Sequence, residues 1–244
     1  MFTSIFLKLT DYPAFRRIIW KQVYELLAGK FKVKDWSFMN YGYAPSDNEA
    51  YLRLEQQDEI NRYPIQLYHY LASKVNIEGL KILEVGSGRG GGANYIGRYF
   101  KPEIIIGLDI AVNAVELANK YYRSESVTFI QGSAEQLPFV DEEFDKVFTV
   151  NTIYFWTDPS LVLSEIKRVL KPTGEVIISI RPEAVMQYYP FVKYGFEMFN
   201  KEELTDLLTQ NDLNVTDIIE REEPEQEIAG EKMSVETLIV CAEK

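Results

Sequence analysis

Residues 80–92 read LKILEVGSGRGGG: a short apolar run, Leu80–Val85, that empties into five glycines among the seven positions 86–92. A run of that length bounded by turn residues is a buried strand, and the glycines let the backbone turn tightly and let a ligand come close. Outward from this point the signals alternate. ANYIGRYF (93–100) has helical spacing, EIIIGLDI (103–110) is a second apolar strand, and NAVELANKYY (113–122) a second helix. VTFIQG (127–132) and DKVFTV (145–150) follow as the third and fourth strands. DPSLVLSEIKRVL (158–170) is a helix that Asp158 can cap and Pro159 can open, with Lys171, Pro172 and Gly174 ending it. EVIISI (175–180) is a fifth strand and KEELTDLLTQ (201–210) a helix. NVTDIIE (214–220) and VETLIVCAE (235–243) can pair as an antiparallel hairpin. Strands without polar alternation are buried on both faces, so the expected fold class is α/β, a parallel sheet covered by helices. In such a sheet the ligand lies beyond the carboxyl ends of the strands, beside strand one.

Gly86, Gly88 and Gly91 satisfy GxGxxG, a dinucleotide pattern that alone is also met by any tight strand-to-helix turn. Three neighbours add chemistry. Glu84, two residues before the first glycine, is a carboxylate at the end of a buried strand, and a charge there needs a partner. A cationic ligand supplies one; a pyrophosphate does not. Asp109, at the tip of strand two, can accept both hydroxyls of a ribose, which fits a nicotinamide dinucleotide and S-adenosylmethionine alike. The turn Gly132-Ser133-Ala134-Glu135 after strand three can clasp an adenine edge.

Taken as an ordered set, EVGSGRG (84–90), GLDI (107–110), GSAEQLPF (132–139), FDKVFTVN (144–151) and EIKRVLKPTGE (165–175) resemble the class I S-adenosylmethionine-dependent methyltransferases. The branch of greatest likeness has an LPF…FD core and includes ubiquinone/menaquinone-type and lipid or small-molecule enzymes. The match covers about residues 80–180. Upstream, Phe38-Met39-Asn40-Tyr41-Gly42-Tyr43 is similar to phthiotriolone-type lipid methyltransferases. The resemblance implies a Rossmann-like, seven-stranded, mostly parallel sheet with a reversed last strand, over residues 80–244, preceded by a helical N-terminal extension or lid, residues 1–79. It implies S-adenosyl-L-methionine as cofactor and S-adenosyl-L-homocysteine as product. Gly86, Ser87 and Gly88 would pass under the methionine part, with Glu84 holding that end. Asp109, with Ile110 beside it, would hold the ribose. Ala134 and its neighbours would meet the adenine; Ser133 stands where many relatives carry Asp, so Ser133 or Glu135 would take the adenine amino group. Asn151 would face the methionyl group or the acceptor.

Methyl transfer from a sulfonium needs alignment above all, and an oxygen acceptor also needs its proton removed. His69 is the base by residue type, although a helix histidine bonded to a neighbour explains it as well. Tyr43, beside Tyr41, and Tyr154, between Asn151 and Trp156, are further candidates by position. No catalytic residue is singled out beyond these three. Tyr188, Tyr189, Phe191, Tyr194, Phe196 and Phe199, after strand five, can form an apolar acceptor pocket or pack under a long connection.

Composition bounds the alternatives. The 244 residues are 46% hydrophobic and 26% charged, which is globular. One cysteine and one histidine exclude a disulfide framework and a Cys- or His-rich metal centre; no metal is expected. Net charge is −11, which disfavours nucleic acid as a partner. Residues 1–35 hold seven bases against three acids, a surplus of four positive charges, so the rest carries −15. This basic, amphipathic stretch can close the pocket, pair subunits, or rest on an anionic membrane. The acidic run Glu220–Glu231 is expected as a solvated loop. Without a signal peptide or an apolar run of ~20 residues, the expected location is the cytoplasm. The expected activity is methyl transfer to a small or lipid-like acceptor, by O- or C-methylation. A nicotinamide-dependent oxidoreductase and a non-catalytic S-adenosylmethionine-binding scaffold are the alternatives.

Overall fold

The computed structural model describes residues 37–38, 40, 42–45, 52–189, 192, 196–228 and 230–244. After a 3-10 turn at Gln56–Asn61 come α1 (Arg62–Ser73), β1 (Lys81–Val85), α2 (Gly91–Tyr99), β2 (Ile104–Asp109), α3 (Val112–Tyr122) and β3 (Val127–Gln131). The second half holds β4 (Phe144–Val150), α4 (Pro159–Val169), β5 (Leu170–Ile180), α5 (Glu183–Met186), α6 (Lys201–Gln210), β6 (Asn214–Ile228) and β7 (Glu231–Glu243). The seven strands form one sheet in the order β3-β2-β1-β4-β5-β7-β6. All pairs from β3 to β5 are parallel, and β7 runs against both β5 and β6. This is the Rossmann-like sheet with a reversed last strand. The order turns back beside β1, so the tips of β1, β2, β3 and β4 open on one crevice.

Alternate residues of the same strands feed two apolar layers. Leu83, Val85, Val147 and Ile178 enter one, and Ile82, Ile105, Phe148 and Ile177 the other. Both faces of the sheet are therefore buried, as apolar strands without polar alternation require. Asp158 caps α4 by accepting the Leu161 N–H at 3.0 Å, with Pro159 in the first turn. Asn200 and Glu203 cap α6 reciprocally.

Three expectations change. β5 begins at Leu170 and passes through Pro172 and Gly174, because a register shift against β4 between Phe144 and Lys146 absorbs the proline. β6 and β7 continue to Ile228 and Glu231, so the acidic run lies in strands and not in a solvated loop. Their outer half overhangs β5, whose pairing with β7 stops at Ile180–Leu238. The described residues between 37 and 55 are not helical; helix begins at Gln56, and Pro64 stands in the first turn of α1. The basic stretch 1–35, with Tyr41, Phe191 and Tyr194, lies outside the described residues.

Candidate active site

The glycine turn leaves β1 with Gly86 at φ +78°, a conformation that disfavours other side chains. A Cβ there would also stand 2.3 Å from Thr152 Cγ2. The N–H groups of Gly86 and Ser87 donate to the Leu108 carbonyl. The Gly88 N–H donates to Asp109 Oδ2 at 2.7 Å, and the Ala111 N–H to Asp109 Oδ1 at 2.9 Å. Asp109 thus fastens the glycine cradle to the tip of β2.

Glu84 is fully buried at the end of β1. The Tyr68 hydroxyl of α1 donates to Oε1 at 2.6 Å, while Oε2 has no hydrogen-bond partner. Burial raises the Glu84 carboxyl to about 7, against the lowering influence of Tyr68 and the Ala93 N–H, with Asp109 nearby adding to the rise. Burial, and then the Glu84 carboxylate, push the Tyr68 hydroxyl well up, so it stays a donor. Gly92 makes room for this ring: a Cβ there would lie 2.1 Å from Tyr68 Cε1.

Beside this pair lies a cleft with about 1220 Å³ of empty space, its solvent-open mouth included. Gly86, Ser87 and Gly88 form its floor, and Asp109 with Ile110 one side. Ser133, Ala134 and Glu135 form the β3 end, where the Glu135 N–H donates to Ser133 Oγ at 3.3 Å. Asn151, Phe155 and Trp156 line the β4 end. Asn151 sits at φ +57°, with its N–H on the Ser179 carbonyl at 2.8 Å. Glu84 stands just behind the lining, where Tyr68 screens it.

Phe38, Asn40 and Tyr68 also line the cleft, and none is among the site residues expected from sequence. The segment 38–43 carried a signal in its likeness to lipid methyltransferases; Tyr68 carried none, since its ring reads as one more apolar position of a helix. Asn40 Oδ1 accepts the Gly42 N–H at 2.9 Å, and its Nδ2 is buried without a hydrogen-bond partner.

The three candidates for catalysis stand away from the lining. His69 Nδ1 meets the Tyr95 hydroxyl at 2.8 Å against Phe100, and burial lowers its pKa. Tyr43 is buried with its ring 5.4 Å from Tyr70. Tyr154 is buried with its hydroxyl accepting the Arg181 N–H at 2.6 Å and donating to the Arg181 carbonyl at 3.0 Å. Of the aromatics after strand five, Phe196 packs edge-on against Phe155 at 4.6 Å and so backs the cleft wall, whereas Tyr188 is exposed.

An α/β sheet with a glycine-rich turn after its first strand, and carboxylates at the ends of β1 and β2 beside the switch point, defines a Rossmann-like protein. The sequence profile described as a methyltransferase domain matches residues 83–178. The chain is 39% identical over 154 residues to the fatty-acid O-methyltransferase of Mycolicibacterium smegmatis, covering 63% of this chain and 56% of that protein. It is 35% identical over 184 residues to the phthiotriol/phenolphthiotriol dimycocerosates methyltransferase of Mycobacterium leprae, covering 74% of this chain and 68% of that one. The chain belongs to the methyltransferase-domain family. It spans little more than half the length of the first of these relatives. In fold it is similar to the crystal structure of the [4+2]-cyclase SpnF, with a TM-score of 0.71 at 18% identity over 91% of this chain and 94% of the other.

Proposed function

We propose that this protein transfers a methyl group from S-adenosyl-L-methionine to a lipid-like acceptor. The observation that carries the reading is the fully buried Glu84, whose Oε2 has no partner beside a cradle of backbone glycines. A buried carboxylate oxygen without a donor is costly, and a ligand ammonium is the group that relieves it. The same atom counts against the pyrophosphate of a nicotinamide dinucleotide. The residues present fit the cofactor: Glu84 would hold its amino end over Gly86, Ser87 and Gly88. Asp109 would hold the ribose beside Ile110, and Ser133, Ala134 and Glu135 the adenine edge. S-adenosylmethionine, when bound, supplies a methyl group on a sulfonium that leaves as a neutral thioether. The chain's own task is then to exclude water and fix the acceptor in line. Asn151, Phe155 and Trp156, at the β4 end, are suited to that.

Fatty acids and phthiotriol dimycocerosates, named in the relatives' descriptions, are both lipids, and Phe38, Val150, Phe155 and Trp156 give the cleft an apolar wall. Among the described residues no helix is long and apolar enough to cross a membrane. A lipid acceptor would suit a cytoplasmic enzyme that meets anionic membrane through the basic stretch 1–35, and net charge −11 gives nucleic acid no purchase. Isothermal calorimetry should show heat for S-adenosylmethionine and S-adenosylhomocysteine. Transfer of radiolabelled methyl should then be seen with hydroxy-lipids or fatty acids, in a screen that includes quinols and sterols. Folded protein giving no heat with either adenosyl compound overturns the reading; binding with no transfer to any acceptor favours a scaffold.

A further inference from the structure

Above the tip of β5 lies a polar knot whose charged residues, Arg181 and Glu223, are not among those that line the cleft. Arg181, the residue after β5, is only 2% exposed, and Glu223 of the overhanging hairpin 6%. Their side chains form a buried ion pair through Arg181 Nη1 and Glu223 Oε1, with a second contact from Nη2 to Oε2 at 3.2 Å. Each member of the pair also bonds one backbone segment. Arg181 Nη2 donates to the Gly42 carbonyl at 3.0 Å, and the Ala44 N–H donates to Glu223 Oε2 at 2.9 Å. Thr237 completes the knot, donating to Glu223 Oε1 at 2.7 Å and accepting from Arg181 Nη1 at 2.8 Å. The segment 42–45, which has no regular secondary structure, is therefore held by both members of the pair at once. Next in line, the Gly42 N–H grips Asn40 Oδ1, and Asn40 lines the cleft with its Nδ2 a buried donor, beside Tyr68, that makes no hydrogen bond. Gly42 can do this only with φ +75° and its Cα pressed on Tyr63, where a Cβ would come within 2.9 Å.

We propose that the Arg181–Glu223 ion pair is a clasp that fixes residues 42–45 to the sheet and thereby sets the Asn40 amide for the carboxylate of the bound adenosyl amino acid. Arg181 and Glu223 are positioning residues that touch no ligand. Asn40 Nδ2 and Glu84 Oε2, an unused donor and an unused acceptor near the Tyr68 ring, would together read an amino acid end: carboxylate to the one, ammonium to the other. This rests on the methyltransferase reading of the cleft.

Calorimetry with S-adenosylhomocysteine on the full chain tests it without any need for an acceptor. Removing one partner alone strands a buried charge and endangers the fold, so the informative variant is Arg181→Met with Glu223→Met, which removes both charges at similar volume. That double variant and Asn40→Ala should each weaken S-adenosylhomocysteine about tenfold, and combining them should weaken it no further than Asn40→Ala does, because the clasp acts through Asn40. Amide exchange at 42–45 should speed up in the double variant with the sheet protected as before. Multiplicative losses, or wild-type affinity in a folded double variant, overturn the clasp. Absence of binding by the wild type fails the methyltransferase reading instead, so the two failures are distinguishable.

Discussion

At the scale of single residues, Glu84 decides the behaviour. Its folded carboxyl lies at about 7, above the ordinary value of 4.5, because burial disfavours its charge. The folded chain therefore holds a proton that the unfolded chain releases between those values. Glu84's contribution to stability is in place at low pH and is lost as pH rises towards and past 7, by about 3 kcal/mol in all. Glu84→Gln should accordingly stabilise the ligand-free protein more in thermal melts at pH ~8 than at pH ~5. A bound cation reverses the preference. S-adenosylmethionine should bind more tightly as pH rises, with a slope approaching tenfold per unit below about 7 and a fall once the ligand's own ammonium loses its proton, and Glu84→Gln should flatten the rise. A flat wild-type profile would mean that Glu84 keeps its proton in the complex. Asp109 differs, since it already accepts two backbone N–H groups. Asp109→Ala should weaken S-adenosylhomocysteine by about 1–3 kcal/mol, read by calorimetry, and should also loosen the turn at Gly88. That Glu84 and Asp109 stand beside the cleft was legible in sequence, because a carboxylate beside glycines at a strand tip is chemically conspicuous. The placement of Asn40 and Tyr68 was not, because it comes from residues before β1 folding back over the cleft, and nothing local encodes that return.

Elements were legible where their signals are local. α4 carries its own start in Asp158 and Pro159, and α6 its capping pair Asn200 and Glu203. Asp158→Ala should lower stability by ~1 kcal/mol in denaturant melts, with S-adenosylhomocysteine affinity untouched, since Asp158 does not line the cleft. The overhanging hairpin was illegible for the converse reason. Charges from Glu220 to Glu227 look solvated one by one, and Pro224 looks like a strand breaker. Pro224 is tolerated because β6 is an edge strand whose register slips between Glu223 and Gln226. Glu223 turns inward only because Arg181, 42 residues earlier, lies opposite it. The extension of β5 through Pro172 has the same origin, a register shift set by β4.

At the scale of the whole molecule, the switch point joins the two halves of the sheet, and a ligand seated there contacts the tips of β1, β2, β3 and β4 together. Such a ligand stabilises the entire fold by mass action, about 2.7 kcal/mol at a hundredfold excess over its dissociation constant. For a chain of this size that corresponds to a rise in melting temperature of very roughly 5–10 °C. S-adenosylhomocysteine should produce such a rise, growing with the logarithm of its concentration. NADH should produce none at equal concentration, although it offers Asp109 a ribose and the glycines a close approach. The difference lies in sign: its pyrophosphate would bring negative charge to a cradle that already contains Asp109 and has the buried Glu84 just behind it. Glu84 is fully buried, so its share of the repulsion is little screened by salt. Equal stabilisation by the two ligands would mean that the cleft recognises only their shared adenosine, and that Glu84 contributes nothing to the choice between them.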